Sequence, residues 1–131
     1  MAFVEHPVDG VAMLLWAAEP ESPQRLATPF FFAAAAAAMD TPVEIYFTAR
    51  SVHLLVPGVA ETLRASERFD KTILDAMREA VSHGARLLAC TDALHAQGID
   101  PARLIPECSG PGGAVQFMAR AADQRWRTLV F

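Results

Sequence analysis

The sequence predicts an α/β domain, with a mostly parallel sheet of about five strands and helices on both faces. Three observations carry this reading. Short apolar runs alternate with stretches of helical periodicity along the chain, the pattern left by successive βαβ units. Residues 11–16 (Val-Ala-Met-Leu-Leu-Trp) contain no polar side chain, which suits a strand buried on both faces of a parallel sheet. At 131 residues the chain has the usual size of one domain with one core, so a single domain over residues 1–131 is expected.

The elements follow in order. The first strand, residues 11–16, is closed by the polar stretch Glu19-Pro20-Glu21-Ser22-Pro23. The next helix has two possible starts: Ser22 capping with Pro23 first, in which case Pro29 should kink it, or Thr28 capping with Pro29 first. Its apolar run, residues 30–39, reads as a buried helix, and the alanines at 33–38 suit close packing against the sheet. Val43-Glu44-Ile45-Tyr46-Phe47-Thr48 is rich in β-branched and aromatic residues and reads as the second strand. A short helix over residues 49–55 and a turn at 56–59 follow it. Residues 69–83 form the clearest amphipathic helix, with Phe69, Ile73, Met77, Ala80 and Val81 on one stripe, His83 at its end and Gly84 as its stop. Residues 85–89 are the third strand, and Thr91 to Gln97 a helix stopped by Gly98. A fourth strand or turn is expected around Leu104-Ile105, then a loop at Gly110-Pro111-Gly112-Gly113, a helix over 114–123 and a last strand over 128–131.

Composition narrows the function classes. Net charge is −4 and the basic residues are scattered singly, which gives no footprint for a phosphate backbone, so no nucleic-acid partner is expected. The hydrophobic fraction is 53% and the mean hydropathy +0.23, but the longest apolar run falls well short of the roughly 20 residues of a membrane span. Residues 1–7 carry Glu5 and no basic stretch before an apolar run, so no secretory signal is read there. With two cysteines and no export signal, a cytoplasmic location with reduced thiols is expected. The four histidines make no metal-ligand pattern, and the loop after the first strand has no glycine and two acidic residues, unlike a phosphate-binding loop. Neither a metal nor a cofactor is expected.

In open parallel sheets, ligands gather beyond the carboxyl ends of the strands. Cys90 is the one strongly nucleophilic side chain placed directly at a strand end. It would face the positive end of the following helix, whereas Asp92 sets a carboxylate close to it in sequence. The alternative is a Cys90 that packs as a small apolar residue. Cys108, beyond the expected fourth strand, is either a second thiol near Cys90 or an incidental loop cysteine. His53, Thr91 and Asp92 are further candidates to line this edge.

The same segments resemble the DsrE/DsrF-like family, which includes the TusD-type sulfur-relay subunits. The resemblance runs from about Val11 to Phe131: the acidic, proline-containing loop at 19–23, the small-residue helix with Pro29-Phe30 near its start, the strand at 43–47, and Ser51-Val52-His53-Leu54-Leu55. Its most informative piece is Leu87-Leu88-Ala89-Cys90-Thr91-Asp92-Ala93-Leu94-His95-Ala96-Gln97-Gly98-Ile99, a strand, a cysteine and a short helix closed by Gly-Ile. The resemblance implies a flavodoxin-like three-layer sandwich that assembles as a homotrimer or hexamer. It also implies that Cys90 accepts a sulfane sulfur as a persulfide and passes it between donor and acceptor proteins that carry thiols or persulfides. Asp92, and the residues after Cys90, depart from the usual small apolar run of the family, and Cys108 has no assigned counterpart. The competing readings are a non-catalytic assembly subunit and a small-ligand-binding subunit.

Overall fold

A computed structural model describes residues 8–131; the reading of residues 1–7 lies outside this range. The strands are β1 (Gly10–Leu15), β2 (Val43–Phe47), β3 (Arg86–Ala89), β4 (Cys108–Pro111) and β5 (Trp126–Val130). The helices are α1 (Ala27–Ala38), α2 (Ile73–Ser82), α3 (Thr91–Ala96) and α4 (Ala114–Ala121). Every strand pairing is parallel, and the spatial order is β4-β3-β2-β1-β5. This is an α/β sandwich of the expected class.

The strand order decides where the helices go. From β1 to β4 each new strand is laid on the same side of the last, and then the chain returns across the sheet to place β5 beyond β1. Right-handed crossovers put helices on one face while the chain steps one way and on the other face when it steps back. Accordingly α1, α2 and α3 pack on the face formed by Met13, Leu15, Ile45, Phe47, Leu87 and Ala89. Among the described residues only α4 covers the opposite face, where Ala12, Tyr46 and Leu88 pack with Leu14, Phe117 and Trp126. The loops leaving β3 and β4 therefore part toward opposite faces, and the crevice between them is the switch point where such sheets bind ligands.

Several local features differ from the sequence reading. Neither expected helix start is used: Ser22 precedes only a separate 3-10 turn at Pro23–Arg25 and makes no side-chain cap bond, and α1 begins at Ala27 with Leu26 as its cap, ahead of Thr28. Pro29 then falls in the first turn of α1, where its missing N–H costs nothing, so the run from 27 to 38 stays one helix. The apolar run 30–39 is buried on one side only; Phe31, Phe32 and Met39 are exposed. α2 starts at Ile73 rather than Phe69, because Thr72 and Asp75 form a reciprocal capping box. The fourth strand is not at Leu104-Ile105. Ile105 is buried against the first face, its N–H donating to the Leu55 carbonyl, and β4 begins only at Cys108.

The central strand β2 is buried at every position, yet it carries Glu44. Its carboxylate accepts two hydrogen bonds from Arg120 of α4, at 2.8 and 3.1 Å, and one from the Tyr46 hydroxyl at 2.8 Å. Arg86 stands 3.7 Å away. Burial pushes the Glu44 carboxyl up, but its bonds to Arg120 and Tyr46 and the nearby guanidinium of Arg86 outweigh it and hold the group below its ordinary value of 4.5. Arg120 also lies over the Trp126 ring, 4.0 Å from its centroid. The Trp126 ring in turn needs Gly10, where a β-carbon would come within 2.6 Å of it.

A group whose carboxyl is lowered by folding stabilises the fold above its unfolded value and loses that contribution as pH falls through its folded value. Arg120→Met leaves the buried carboxylate with only Tyr46 and the more distant Arg86. We predict a loss of about 3 kcal/mol in urea denaturation at pH 7. The deficit should shrink on acidification through the carboxylate range, since protonation removes the unpaired charge. Equal stability of variant and parent at pH 7 would refute the role assigned to this pair.

Candidate functional site

Cys90 is the residue at which β3 becomes α3. Its N–H donates to the Phe47 carbonyl at 2.9 Å, extending the β2–β3 ladder by one bond, and its carbonyl accepts the Leu94 N–H at 3.0 Å as the first bond of α3. The backbone there is extended (φ −71°, ψ 115°), as a helix cap requires. Two bonded neighbours thus fix the position of a half-buried, unbridged thiol at the carboxyl edge of the sheet.

Beside it is a cavity of about 260 Å³ on the α4 face. Leu14 and Tyr46 come from the sheet, Thr48 and Cys90 from the ends of β2 and β3, and Phe117 and Met118 from α4. Gly112, Gly113 and Ala114 complete the wall as β4 turns into α4, and no charged side chain takes part. Tyr46 and Phe117 meet edge to face, with ring centroids 5.4 Å apart. Gly112 is required here by contact: a β-carbon would lie 2.7 Å from Leu88 Cβ and 3.1 Å from the Tyr46 ring. Its N–H donates to the Ala89 carbonyl at 2.9 Å, which brings this loop alongside Cys90. Tyr46 contributes ring rather than acid: burial, then the bond it gives to Glu44, push its hydroxyl up to about 12.

The other candidates from the sequence are not gathered around Cys90. Thr91 and Cys108 line a different cavity of about 420 Å³, between β4 and the segment containing Pro101 and Ile105. Asp92 is exposed and lines a third, shallower depression on the outer side of the Gly112-Gly113 loop. His53 bonds Gln97 at 3.0 Å through Nε2. Arg50 reaches both Gln97, at 3.3 Å, and Glu21, whose carboxyl is held below its ordinary value first by that bond. These residues tie the loop after β1 to the end of α3. They are aimed by Ala49, which takes a left-handed conformation (φ 51°), and by buried Ser51, whose hydroxyl donates to the Leu15 carbonyl at 2.7 Å. Among the described residues no cluster of histidine, cysteine or carboxylate side chains could hold a metal ion. No helix among them is long and apolar enough to cross a membrane.

Sequence reasoning singled out Cys90 but missed the residues that surround it. Tyr46, Phe117 and Met118 look like core positions, and only register shows that Leu14 and Tyr46 are partners on the sheet face turned toward α4. In the sequence the Gly110-Pro111-Gly112-Gly113 loop reads as a turn before a helix that could bind an anion, whereas in the structure Gly112 and Gly113 form part of an apolar cavity wall.

The family model for the DsrE/DsrF-like family matches residues 11–131. The chain belongs to the DsrE/DsrF-like family. No curated protein matches it. Its fold is similar to that of the ychN protein of E. coli, at a TM-score of 0.73 and 13% identity, covering 95% of this chain and 100% of that one. It is also similar to a protein of unknown function from Methanobacterium thermoautotrophicum, at a TM-score of 0.64 and 16% identity, covering 92% and 97%. At such identities these two likenesses speak to the fold alone.

In this DsrE-like chain the two thiols stand apart. Cys108 pairs with Leu87, three residues before Cys90 on the neighbouring strand. Strand geometry then puts their Cα atoms roughly 11 Å apart, beyond the roughly 7 Å that a disulfide spans. Burial pushes the Cys108 thiol up, against a smaller opposite contribution from the Gly110 backbone. We predict that diamide treatment of the dilute folded chain leaves both thiols countable after unfolding, with no intramolecular bridge by intact mass. In Cys90→Ser, the alkylation rate of Cys108 should titrate with a midpoint above that of a free thiol. A bridged product, or a Cys108 midpoint below a free thiol's, contradicts this geometry.

Proposed function

We propose that this chain acts as a single DsrE-like domain that carries sulfane sulfur, in the manner of the TusD-type relay subunits, with Cys90 as the carrier. The observation that favours this most is the position of Cys90: a half-buried thiol at the switch-point crevice, beside an open cavity, in a chain of this family. The Cys90 thiolate attacks the outer sulfur of a donor persulfide. A new S–S bond forms at Cys90 as the donor's S–S bond breaks, and the donor leaves as a thiolate. In the outgoing step an acceptor thiolate attacks the outer sulfur, and Cys90 is released as a thiolate. Sulfur moves between thiols with no net oxidation, so the exchange needs neither metal nor cofactor. Cys108, facing another cavity, takes no part in this step, and His53 and its partners shape the neighbouring edge.

The donor and acceptor in this reading are proteins bearing thiols or persulfides, in the cytoplasm where thiols stay reduced. Assembly into a homotrimer or hexamer is part of the same proposal. It is supported by β5, an edge strand with Leu129 and Val130 exposed, and by the exposed Val115 and Met118 on adjoining α4. The same exposed surface also favours a second reading, a non-catalytic assembly subunit in which Cys90 is inert.

The two readings part on one measurement. After exposure to polysulfide and removal of excess reagent, intact mass should show one added sulfur atom on the parent chain. Cys90→Ser should show none, Cys108→Ser should behave as the parent does, and dithiothreitol should remove the addition. Absence of added sulfur on the folded parent chain, or its retention in Cys90→Ser, overturns the carrier reading.

A further inference from the structure

We infer that the cavity beside Cys90 selects small sulfur compounds that carry an uncharged apolar group about the size of one aromatic ring, and disfavours anionic ones. The inference rests on Cys90 being the reacting group of the site, and it names a small-molecule class that the site takes besides the protein donor and acceptor of the carrier reading.

Size comes first. An apolar cavity of roughly 150 Å³ is enough to bind benzene, and this one measures about 260 Å³. It therefore holds a single ring together with the sulfur that must reach Cys90. Its chemistry comes second. Leu14, Phe117, Met118 and the Tyr46 ring supply apolar surface, and the Thr48 hydroxyl is the one side-chain hydrogen-bonding group besides Tyr46, whose own hydroxyl already donates to Glu44. Arg120, two residues beyond Met118 on α4, is committed to Glu44 through two bonds and lies over Trp126. Among the described residues no charged side chain lines the cavity to compensate a buried anion, and an uncompensated charge is expensive to take out of water. The wall does include the start of α4, whose first N–H groups favour anions. One eight-residue helix end, exposed to water at Ala114 and Val115, offsets only a small part of that cost. Apolar burial wins.

The test uses two aryl disulfides that react identically but differ in charge: neutral dithiodipyridine and dianionic dithiobis(nitrobenzoate). In each, the Cys90 thiolate attacks one sulfur, the aryl S–S bond breaks, an aryl thiolate leaves and is read by absorbance, and Cys90 is left in a mixed disulfide. The protein is Cys108→Ser, so that Cys90 alone responds. The same chain unfolded in urea supplies the intrinsic rate ratio at the same net charge.

The folded chain should prefer the neutral reagent by at least about tenfold more than the unfolded chain does. Met118→Trp, a substitution at an exposed position that fills the mouth of the cavity, should abolish that excess while circular dichroism stays unchanged. A folded ratio equal to the unfolded one, or a preference for the anionic reagent, overturns the inference, the latter assigning the site to the helix end instead. Persistence of the excess in a folded Met118→Trp chain overturns it as well. Polysulfide loading is read separately. Sulfur uptake without the neutral preference defeats this inference alone. The neutral preference without sulfur uptake defeats the carrier reading and leaves a small-ligand site.

Discussion

A single buried carboxylate holds the functional half of this molecule together. α4 is eight residues long and has no fully buried residue, so neither its length nor its own apolar face would keep it in place. What keeps it there is the two-bond clamp of Arg120 on Glu44, with Phe117 against Tyr46 and Trp126 stacked beneath the guanidinium. An ionised carboxylate in the central strand is costly, and the structure meets that cost with two guanidinium groups and a tyrosine hydroxyl. Removing the pair's cation would loosen the helix that forms one wall of the Cys90 cavity. Stability and site are coupled through Glu44.

The asymmetry of the two sheet faces follows from topology. Three crossovers in one direction build a thick layer over Met13, Ile45, Phe47 and Leu87. The single return crossover provides one short helix for the other face, and among the described residues β5 is an edge strand. The crevice lies where the two covers part, so a well-packed layer fixes the backbone of Cys90 while the other side of the thiol stays accessible. A cysteine two residues earlier, within β3, would be buried in the sheet like Leu88.

The fold was legible because strong signals agreed: buried runs for β1 and β3, β-branched and aromatic residues for β2, and the stripe of α2 ending at Gly84. β4 was not legible. Cys108-Ser-Gly-Pro has almost no intrinsic preference for a strand, and Pro111 is tolerated only because β4 is an edge strand. Leu104-Ile105 was more strand-like in composition, but its apolar character serves a buried loop anchor rather than a ladder. The same kind of failure hid the site. Tyr46 and Phe117 are 71 residues apart and meet only because the β4–β5 crossover reverses direction. A sequence read locally carries no trace of that reversal.

Asp92 shows how far nearness in sequence misleads about nearness in chemistry. Two residues after Cys90, it puts a carboxylate beside the proposed carrier thiol when the chain is read as a string. Cys90 is the extended cap of α3 and Asp92 its second helical residue, and the two side chains line different cavities. The structure sets Asp92 in the shallow outer depression and Cys90 in the inner cavity, with the Gly112-Gly113 loop touching both. Asp92 is exposed, so water and salt weaken whatever field reaches the thiol. The groups that share the cavity with Cys90 are uncharged rings, aliphatic carbons and glycine backbone. In the carrier proposal, access to Cys90 is therefore set by what those surfaces admit, and the carboxylate two residues further along the chain lies outside that cavity.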